Sequence, residues 1–333
     1  MKPRPPVNAI AEGVLQGDRI LLSQAITIIE SNLEDDWKLS TELLEKIIHA
    51  TGNAIRIGIT GVPGVGKSSF IDALGTYITG LGKKLAVLTV DPSSQITRGS
   101  ILGDKTRMEE LSRQPLAYIR PSPSGSTLGG VAQKTNDVVL LCEAAGFEVI
   151  IIETVGVGQS EVTVKNLVDF FLLLMLAGAG DELQGIKKGI TEVAHAIVIT
   201  KADGANKQNA VAAKASYEQA LHLTPTNSGW TPKVITASAQ TKSGIEEVWK
   251  MIISFREQMM RDGTFESTRR QQKIDWLEIY FRELLNLDIT SNENVLSEKK
   301  KLEDQLIEQK ISAHGAAEKL LRVYHDEIRN VGK

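Results

Sequence analysis

The 333 residues contain a single cysteine, Cys142, so no internal disulfide can hold this chain together. It sits in the apolar stretch VVLLCEAAG, where a thiol packs as a small hydrophobe. An excess of one charge is also lacking. The 38 Lys and Arg against 41 Asp and Glu leave a formal net charge of −3, which gives no electrostatic footing for nucleic acid or an anionic membrane. The longest apolar run, Phe170–Ala179, falls well short of the roughly 20 residues that span a bilayer. The opening MKPRPPVNAIAEG has neither the apolar core of a signal peptide nor the composition of a transit peptide. A reducing cytoplasm is the expected compartment. Internal repeats and low-complexity tracts are missing as well. What remains is an ordinary soluble composition, 42% hydrophobic and 24% charged, long enough for one substantial α/β domain with extensions.

The most informative stretch is Gly61-Val62-Pro63-Gly64-Val65-Gly66-Lys67-Ser68-Ser69, which matches G-x-x-x-x-G-K-[ST]. The apolar run Ile55–Ile59 before it reads as a strand, and Ser68 onward (SSFIDALGTYIT) reads as a helix. The three glycines let the backbone curl so that successive N–H groups face one cluster of phosphate oxygens, and the helix N-terminus adds its positive end. Lys67 then bridges the outer phosphates and the Ser68 hydroxyl binds Mg²⁺.

Three zones follow along the chain. Residues 1–50 read as a helical extension, with DRILLSQAITIIESN from Asp18 and a second helix over Ser40–Ala50. Residues 51–255 alternate strand-like and helical runs: Leu85–Val90, Val149–Ile152, Asp169–Leu176, Ala196–Thr200 and Lys233–Thr236 are short and nearly all apolar. Such strands between helices indicate a mostly parallel sheet covered on both faces, with ligands at the edge formed by the strand tips. Residues 256–333 turn charged and helical, with stripes at Ile274/Leu277/Phe281/Leu284, Val295/Leu302/Leu306 and Ala317/Leu321/Tyr324/Ile328. A helix hairpin packed on its own domain and a dimerisation arm both fit these stripes.

The strand tips carry the rest of the site. Asp91 follows LAVLTV and can reach Mg²⁺ directly or through water. Glu153 follows VIII, an apolar strand with an acid aimed at the metal, and Gly156 then offers a bare N–H to a γ-phosphate. Thr200-Lys201-Ala202-Asp203 follows AIVIT: the Asp203 carboxylate accepts from guanine N1 and the exocyclic amine, a donor pair adenine lacks, while the Lys201 stem lies over the base. Thr200 stands where the usual N-K-x-D signature has asparagine. Ser238, Ala239 and Gln240, after KVIT, fit the loop whose backbone N–H meets guanine O6. For alignment of the attacking water, no Gln directly follows Gly156, and Gln159 is three residues on. Slow intrinsic turnover is therefore expected, accelerated by a partner or dimer mate, with Arg98, Arg107, Lys187 and Lys188 as candidate charge donors.

From Asp18 to Leu285 the chain resembles the methylmalonyl-CoA mutase-associated GTPase family (MeaB/ArgK type), also called lysine/arginine/ornithine transport-system kinases. The resemblance is carried by DPSS (Asp91–Ser94), GSILGDKTRM (Gly99–Met108), YIRPSPSGSTLGG (Tyr118–Gly130), IIETVGVGQSE (Ile151–Glu161), GDELQGIKKGI (Gly180–Ile190) and RRQQKIDW (Arg269–Trp276). It implies a P-loop GTPase domain using GTP/GDP and Mg²⁺, with a helical N-terminal extension and a C-terminal arm through which members form homodimers. The implied partner is a coenzyme-B12-dependent acyl-CoA mutase, whose cofactor loading and protection the GTPase governs; the B12 belongs to the mutase. Asp104 matches a family acid near the Mg²⁺ site, and Asp181, Glu182, Lys187 and Lys188 lie in a loop that couples nucleotide state to the mutase. Two rivals share the architecture. A nickel-type metallochaperone GTPase needs a His/Cys cluster, whereas His49, His195, His222, His314 and His325 are scattered. A kinase of an amino-acid transport-system binding protein tolerates ATP, against which Asp203 argues.

Overall fold

The computed structural model describes residues 4–90, 107–122, 128–154, 165–178, 194–222 and 229–331. Strand β1 (Ile55–Gly61) is buried along its whole length, because it has strands on both sides and helices on both faces. β2 (Leu85–Val90), β3 (Ala117–Ser122), β4 (Val149–Thr154), β5 (Phe170–Leu176), β6 (Ala196–Thr200) and β7 (Lys233–Thr236) complete a sheet of order β3-β2-β4-β1-β5-β6-β7. Every pairing is parallel, so all the strand tips emerge at one edge. The expected fold class, a parallel sheet flanked by helices with helical regions at both ends, is what forms. β3 is an addition to the strands expected. Its sequence AYIRPS breaks the apolar pattern, which an outer strand tolerates because one side of it makes no ladder bonds.

Alternate residues of β1 serve different layers. Ile55, Ile57 and Ile59 pack with Phe70, Leu74 and Ile78 of α4 (Lys67–Gly80) and with Val248, Ile252 and Phe255 of α8 (Ile245–Arg261). Arg56 points the other way, to Glu143 of α6 (Leu128–Ala144). Between these, α5 (Glu109–Ser112) is a single turn, and α7 (Lys207–His222) packs beside β6 and β7.

The N-terminal extension is three helices, α1 (Val7–Leu15), α2 (Arg19–Glu30) and α3 (Glu34–Ile47), packed on one another and on α6. Asp18 caps α2, its carboxylate accepting from the N–H groups of Ile20 and Leu21 at 2.7 and 3.0 Å. Helix α3 begins at Glu34, six residues before the expected Ser40. Its first turns carry no apolar stripe. Asp36 is buried there instead and pairs with Arg4.

A buried ionic cluster closes the opposite end of the sheet from the strand tips. Arg269, on α9 (Thr264–Ser291), forks onto Asp169 at 2.7 and 2.6 Å and donates to the carbonyls of Ala54 and Gly52 at 2.6 and 3.1 Å. Arg56 donates twice to Glu143 at 2.9 Å, and Arg269 also reaches Glu143 at 3.4 Å. Burial alone would raise Glu143, but Arg56 and Arg269 outweigh it and hold the carboxyl below its usual range.

The chain divides into two compact units, Met1–Gln272 and Lys273–Lys333. In the second, α10 (Glu293–Ile307) and α11 (Ala313–Val331) pack together, burying Val295, Leu302, Ala316 and Tyr324, and the Tyr324 hydroxyl donates to Asp288 of α9. Of the three expected stripes, that of α9 faces outward: Ile274, Leu277, Phe281 and Leu284 are 51 to 67% exposed. In α11, Leu321 and Ile328 are exposed as well.

Candidate functional site

The loop between β1 and α4 is shaped by backbone that only glycine adopts without strain. Gly61 has φ 155°, and a Cβ there would lie 2.6 Å from the Leu174 carbonyl of β5. Gly66, the residue before α4, has φ 93°. Val65 is wholly buried, so the loop is pinned at its centre by a side chain.

Lys67 opens α4 and folds back over the loop, donating to the carbonyls of Gly61 at 2.8 Å and Val62 at 3.4 Å. Burial holds its ammonium below the usual lysine range, with Glu153 pulling the other way. Glu153 stands near the tip of β4, in register with Ile59 of β1, and is 5% exposed. The Ser68 hydroxyl lies 3.3 Å from its Oε1. The structure thus brings Lys67, Ser68 and Glu153 together: two oxygen donors of the hard type that suits Mg²⁺, beside one cation.

A second group gathers at the tips of β6 and β7. Thr200 ends β6, and its hydroxyl donates to the Val65 carbonyl at 2.7 Å and the Met175 carbonyl of β5 at 3.2 Å. Lys201 has φ 54°, an uncommon value for a residue with a Cβ, and its ammonium reaches the Gly64 carbonyl at 2.9 Å. The Ser238 hydroxyl donates to the Asp203 carboxylate and accepts from the Thr241 N–H at 3.1 Å. Backbone bonds from Ala202 N to Ala237 O (3.1 Å) and from Ala237 N to Ile199 O (2.9 Å) hold the two loops side by side.

A cleft of about 270 Å³ is lined by Val65, Gly66, Ser69 and Phe70 of the loop and α4 and by Thr200, Lys201, Asp203, Ala239 and Gln240 of the second group. Asp91, Asp104, Gly156, Asp181, Glu182, Lys187 and Lys188 lie outside the described residues, as do Arg98 and Gln159. Arg107 is described and exposed. Thr200 was not among the expected site residues. Its strand-tip position was legible, but its two acceptors come from other elements, and no sequence signal announces them.

A family model described as methylmalonyl Co-A mutase-associated GTPase MeaB matches residues 22–317. The chain belongs to that family. GTPase ArgK of Escherichia coli is 50% identical over 263 residues, covering 79% of this chain and 80% of that one. The mouse protein named methylmalonic aciduria type A homolog, mitochondrial, is 40% identical over 329 residues, covering 96% of this chain and 79% of its own length. Among solved structures, that of a LAO/AO transport system kinase matches with a TM-score of 0.73 at 36% identity, over 98% of this chain and 99% of that one. This MeaB-family member is accordingly a P-loop GTPase by fold and by relationship. Among the described residues, no group of three or more His, Cys, Asp or Glu side chains is placed to hold a metal ion, and no helix is long and apolar enough to cross a membrane.

Proposed function

We propose that this chain is a Mg²⁺-dependent GTPase that chaperones a coenzyme-B12-dependent acyl-CoA mutase, methylmalonyl-CoA mutase first among them, as a cytoplasmic homodimer. The observation that carries the nucleotide part is that the phosphate loop (Val65, Gly66, Ser69) and the base segment (Thr200, Lys201, Asp203) line one cleft, with Lys67 and the Ser68–Glu153 contact on that same loop and its neighbouring strand tip. The family's description and the mouse relative's name support the mutase part.

The residues act in two places. Asp203 accepts from the guanine edge, held in position by the Ser238 hydroxyl, and the Lys201 stem covers the base. The backbone N–H groups of Gly61–Ser69 cradle the phosphates, and Lys67 exchanges the Gly61 and Val62 carbonyls for phosphate oxygens. Ser68 and Glu153 would hold the Mg²⁺, with Asp91 and Asp104 as further candidate acids, and the ion would neutralise charge developing on the phosphates. Gly156 is the position assigned to the γ-phosphate, and Asp181, Glu182, Lys187 and Lys188 are the positions assigned to coupling nucleotide state to the mutase.

The outward stripe of α9 supports the homodimer. Four apolar side chains on successive turns, all more than half exposed, form a face that a second copy would cover. The test is co-purification of the full chain with methylmalonyl-CoA mutase in the GTP, GDP and nucleotide-free states. Association that changes with the nucleotide is expected; no association in any state removes the chaperone reading and leaves the GTPase intact. Transfer of labelled phosphate to a transport-system binding protein would favour the kinase reading instead.

A further inference from the structure

Helix α5 is one turn long, and its own N-cap residue, Met108, makes no side-chain capping bond. One turn does not hold itself together in water, because its few backbone bonds do not offset the cost of ordering it. The missing cap comes from another helix. The Leu111 N–H, third in the turn, donates to Asp72 Oδ1 of α4 at 2.7 Å. The Leu111 side chain meets the same helix at Gly75, where an added Cβ would lie 2.6 and 2.9 Å from its two methyl carbons. Leu111 and Met108 are wholly buried. Asp72 and Gly75, three residues apart on one face of α4, thus form a socket for α5.

Helix α5 in turn touches the other element that lines the cleft. Glu110 pairs with Lys242 at 2.5 Å. Lys242 lies in a tight loop closed by the Ser238 N–H on the Ser243 carbonyl at 2.9 Å, and Ala239 and Gln240 of that loop line the cleft. Its φ of 59° is one that a residue with a Cβ adopts only when its surroundings fix it. Helix α4 supplies Ser69 and Phe70 to the same lining. The series Asp72, Leu111, Glu110, Lys242 therefore ties α4 to the Ser238–Ser243 loop through α5. A ligand that touches both elements has less to order when their spacing is fixed in advance.

We propose that Asp72 is a positioning residue for the bound nucleotide: by seating α5 it holds Glu110 where Lys242 meets it, and so fixes the spacing of α4 and the Ser238–Ser243 loop. This rests on the GTPase reading and adds to it a residue outside the phosphate-loop and base-reading motifs. The two links differ in strength. The Asp72 bond is partly buried and caps a turn that has no cap of its own, whereas Glu110 and Lys242 are both exposed and salt screens their pair. Loss of Asp72 frees α5 and Glu110 with it, so the effect of Lys242 is contained in that of Asp72.

The experiment measures dissociation of the fluorescent analogue mant-GDP from the full chain by stopped flow, chased with excess GDP, with thermal unfolding of each nucleotide-free variant alongside. Release about fivefold faster is expected for Asp72→Ala, the scale on which loss of one helix cap is felt. Asp72→Asn should release at the parental rate, because its amide oxygen accepts the same N–H. Lys242→Met, which keeps the stem and drops the charge, should release about twofold faster. The double variant Asp72→Ala with Lys242→Met should release no faster than Asp72→Ala alone. A parental rate for Asp72→Ala overturns the proposal, and so does an Asp72→Asn that releases as fast as Asp72→Ala. Effects that multiply in the double variant overturn it too, since Asp72 would then act without Lys242. If Asp72→Ala does not fold, Lys242→Met decides: faster release supports the tie through α5, and parental release overturns it. If the parent chain itself binds no mant-GDP, the GTPase reading falls first, a result distinguishable from all of these.

Discussion

Arg269 and Asp169 meet as a buried fork, with Nε and Nη2 of the guanidinium on the two carboxylate oxygens at 2.7 and 2.6 Å. Asp169 also accepts from the Arg56 N–H at 2.8 Å, where β1 begins, so one carboxylate joins α9 to the central strand. A fork of this kind needs a planar donor with two parallel N–H groups. Arg269→Met leaves Asp169 and Glu143 buried with one cation fewer. It is expected to lower unfolding free energy by about 3–5 kcal/mol, measured by urea denaturation. Arg269→Lys should recover only part, since an ammonium cannot make the fork.

Lys67, the proposed phosphate ligand, bonds only to two carbonyls of its own loop among the contacts of its ammonium, so its removal should cost the fold little. Lys67→Ala is expected to keep the fold by circular dichroism while lowering GTP turnover at least about 10²-fold, the scale of losing one electrostatic donor to a developing charge. Near-parental turnover would move the catalytic site elsewhere.

Asp203→Asn puts a donor where the proposed base-reading carboxylate only accepts. The variant is expected to lose GTP and to gain xanthosine triphosphate, whose carbonyl stands where guanine has its amine. A reversal of preference by more than about 10²-fold is expected, read by competition against mant-GDP. Retained GTP preference would show that residue 203 does not read the base.

His195 supplies a pH dependence. Its Nδ1 accepts from the Phe171 N–H at 2.9 Å, which requires that nitrogen to be unprotonated, and its ring packs on Phe255 at 4.7 Å. Burial pushes its pKa from 6.5 down to about 4, Lys165 adding to the shift and Asp169 opposing it. The unfolded chain thus takes up the proton first as pH falls. The stabilisation is complete above about pH 6.5 and is lost progressively toward pH 4, roughly 3 kcal/mol in all. In His195→Gln, the slope of unfolding free energy against pH over that window should flatten by this amount; an unchanged slope would place the acid sensitivity elsewhere.

The exposed stripe of α9 gives a test of the homodimer. Leu277→Glu with Phe281→Glu puts charges on a face that a second copy would cover. Sedimentation is expected to show a dimer for the parent and a monomer for the double variant, with parental helicity. A monomeric parent would remove the homodimer from the proposal.

How much of this was legible beforehand depended on whether the signal was local. β1, β2 and β4–β7 read as strands because burial on both faces makes each a continuous apolar run, whereas β3, with Arg120 and Pro121 in an outer strand, carries no such run. The phosphate loop is a contiguous string and was read whole. Glu153 was read from its strand-tip position, and the structure brings it to Ser68. The Arg56–Glu143–Asp169–Arg269 cluster could not be read, since its paired side chains lie 87 to 126 residues apart in sequence and each alone looks like a surface charge. Thr200 was legible as a departure from the usual asparagine, but its bonds were not, because its partners depend on how closely β5, β6 and the loop approach.

The most direct test of the central claim is steady-state phosphate release from GTP by the full chain, alone and with methylmalonyl-CoA mutase added, beside an identical series with ATP. Slow GTP turnover that rises severalfold on adding the mutase, with no measurable ATP turnover, is the expected result. Turnover of tens per second without a partner, equal use of ATP, or indifference to the mutase would contradict it.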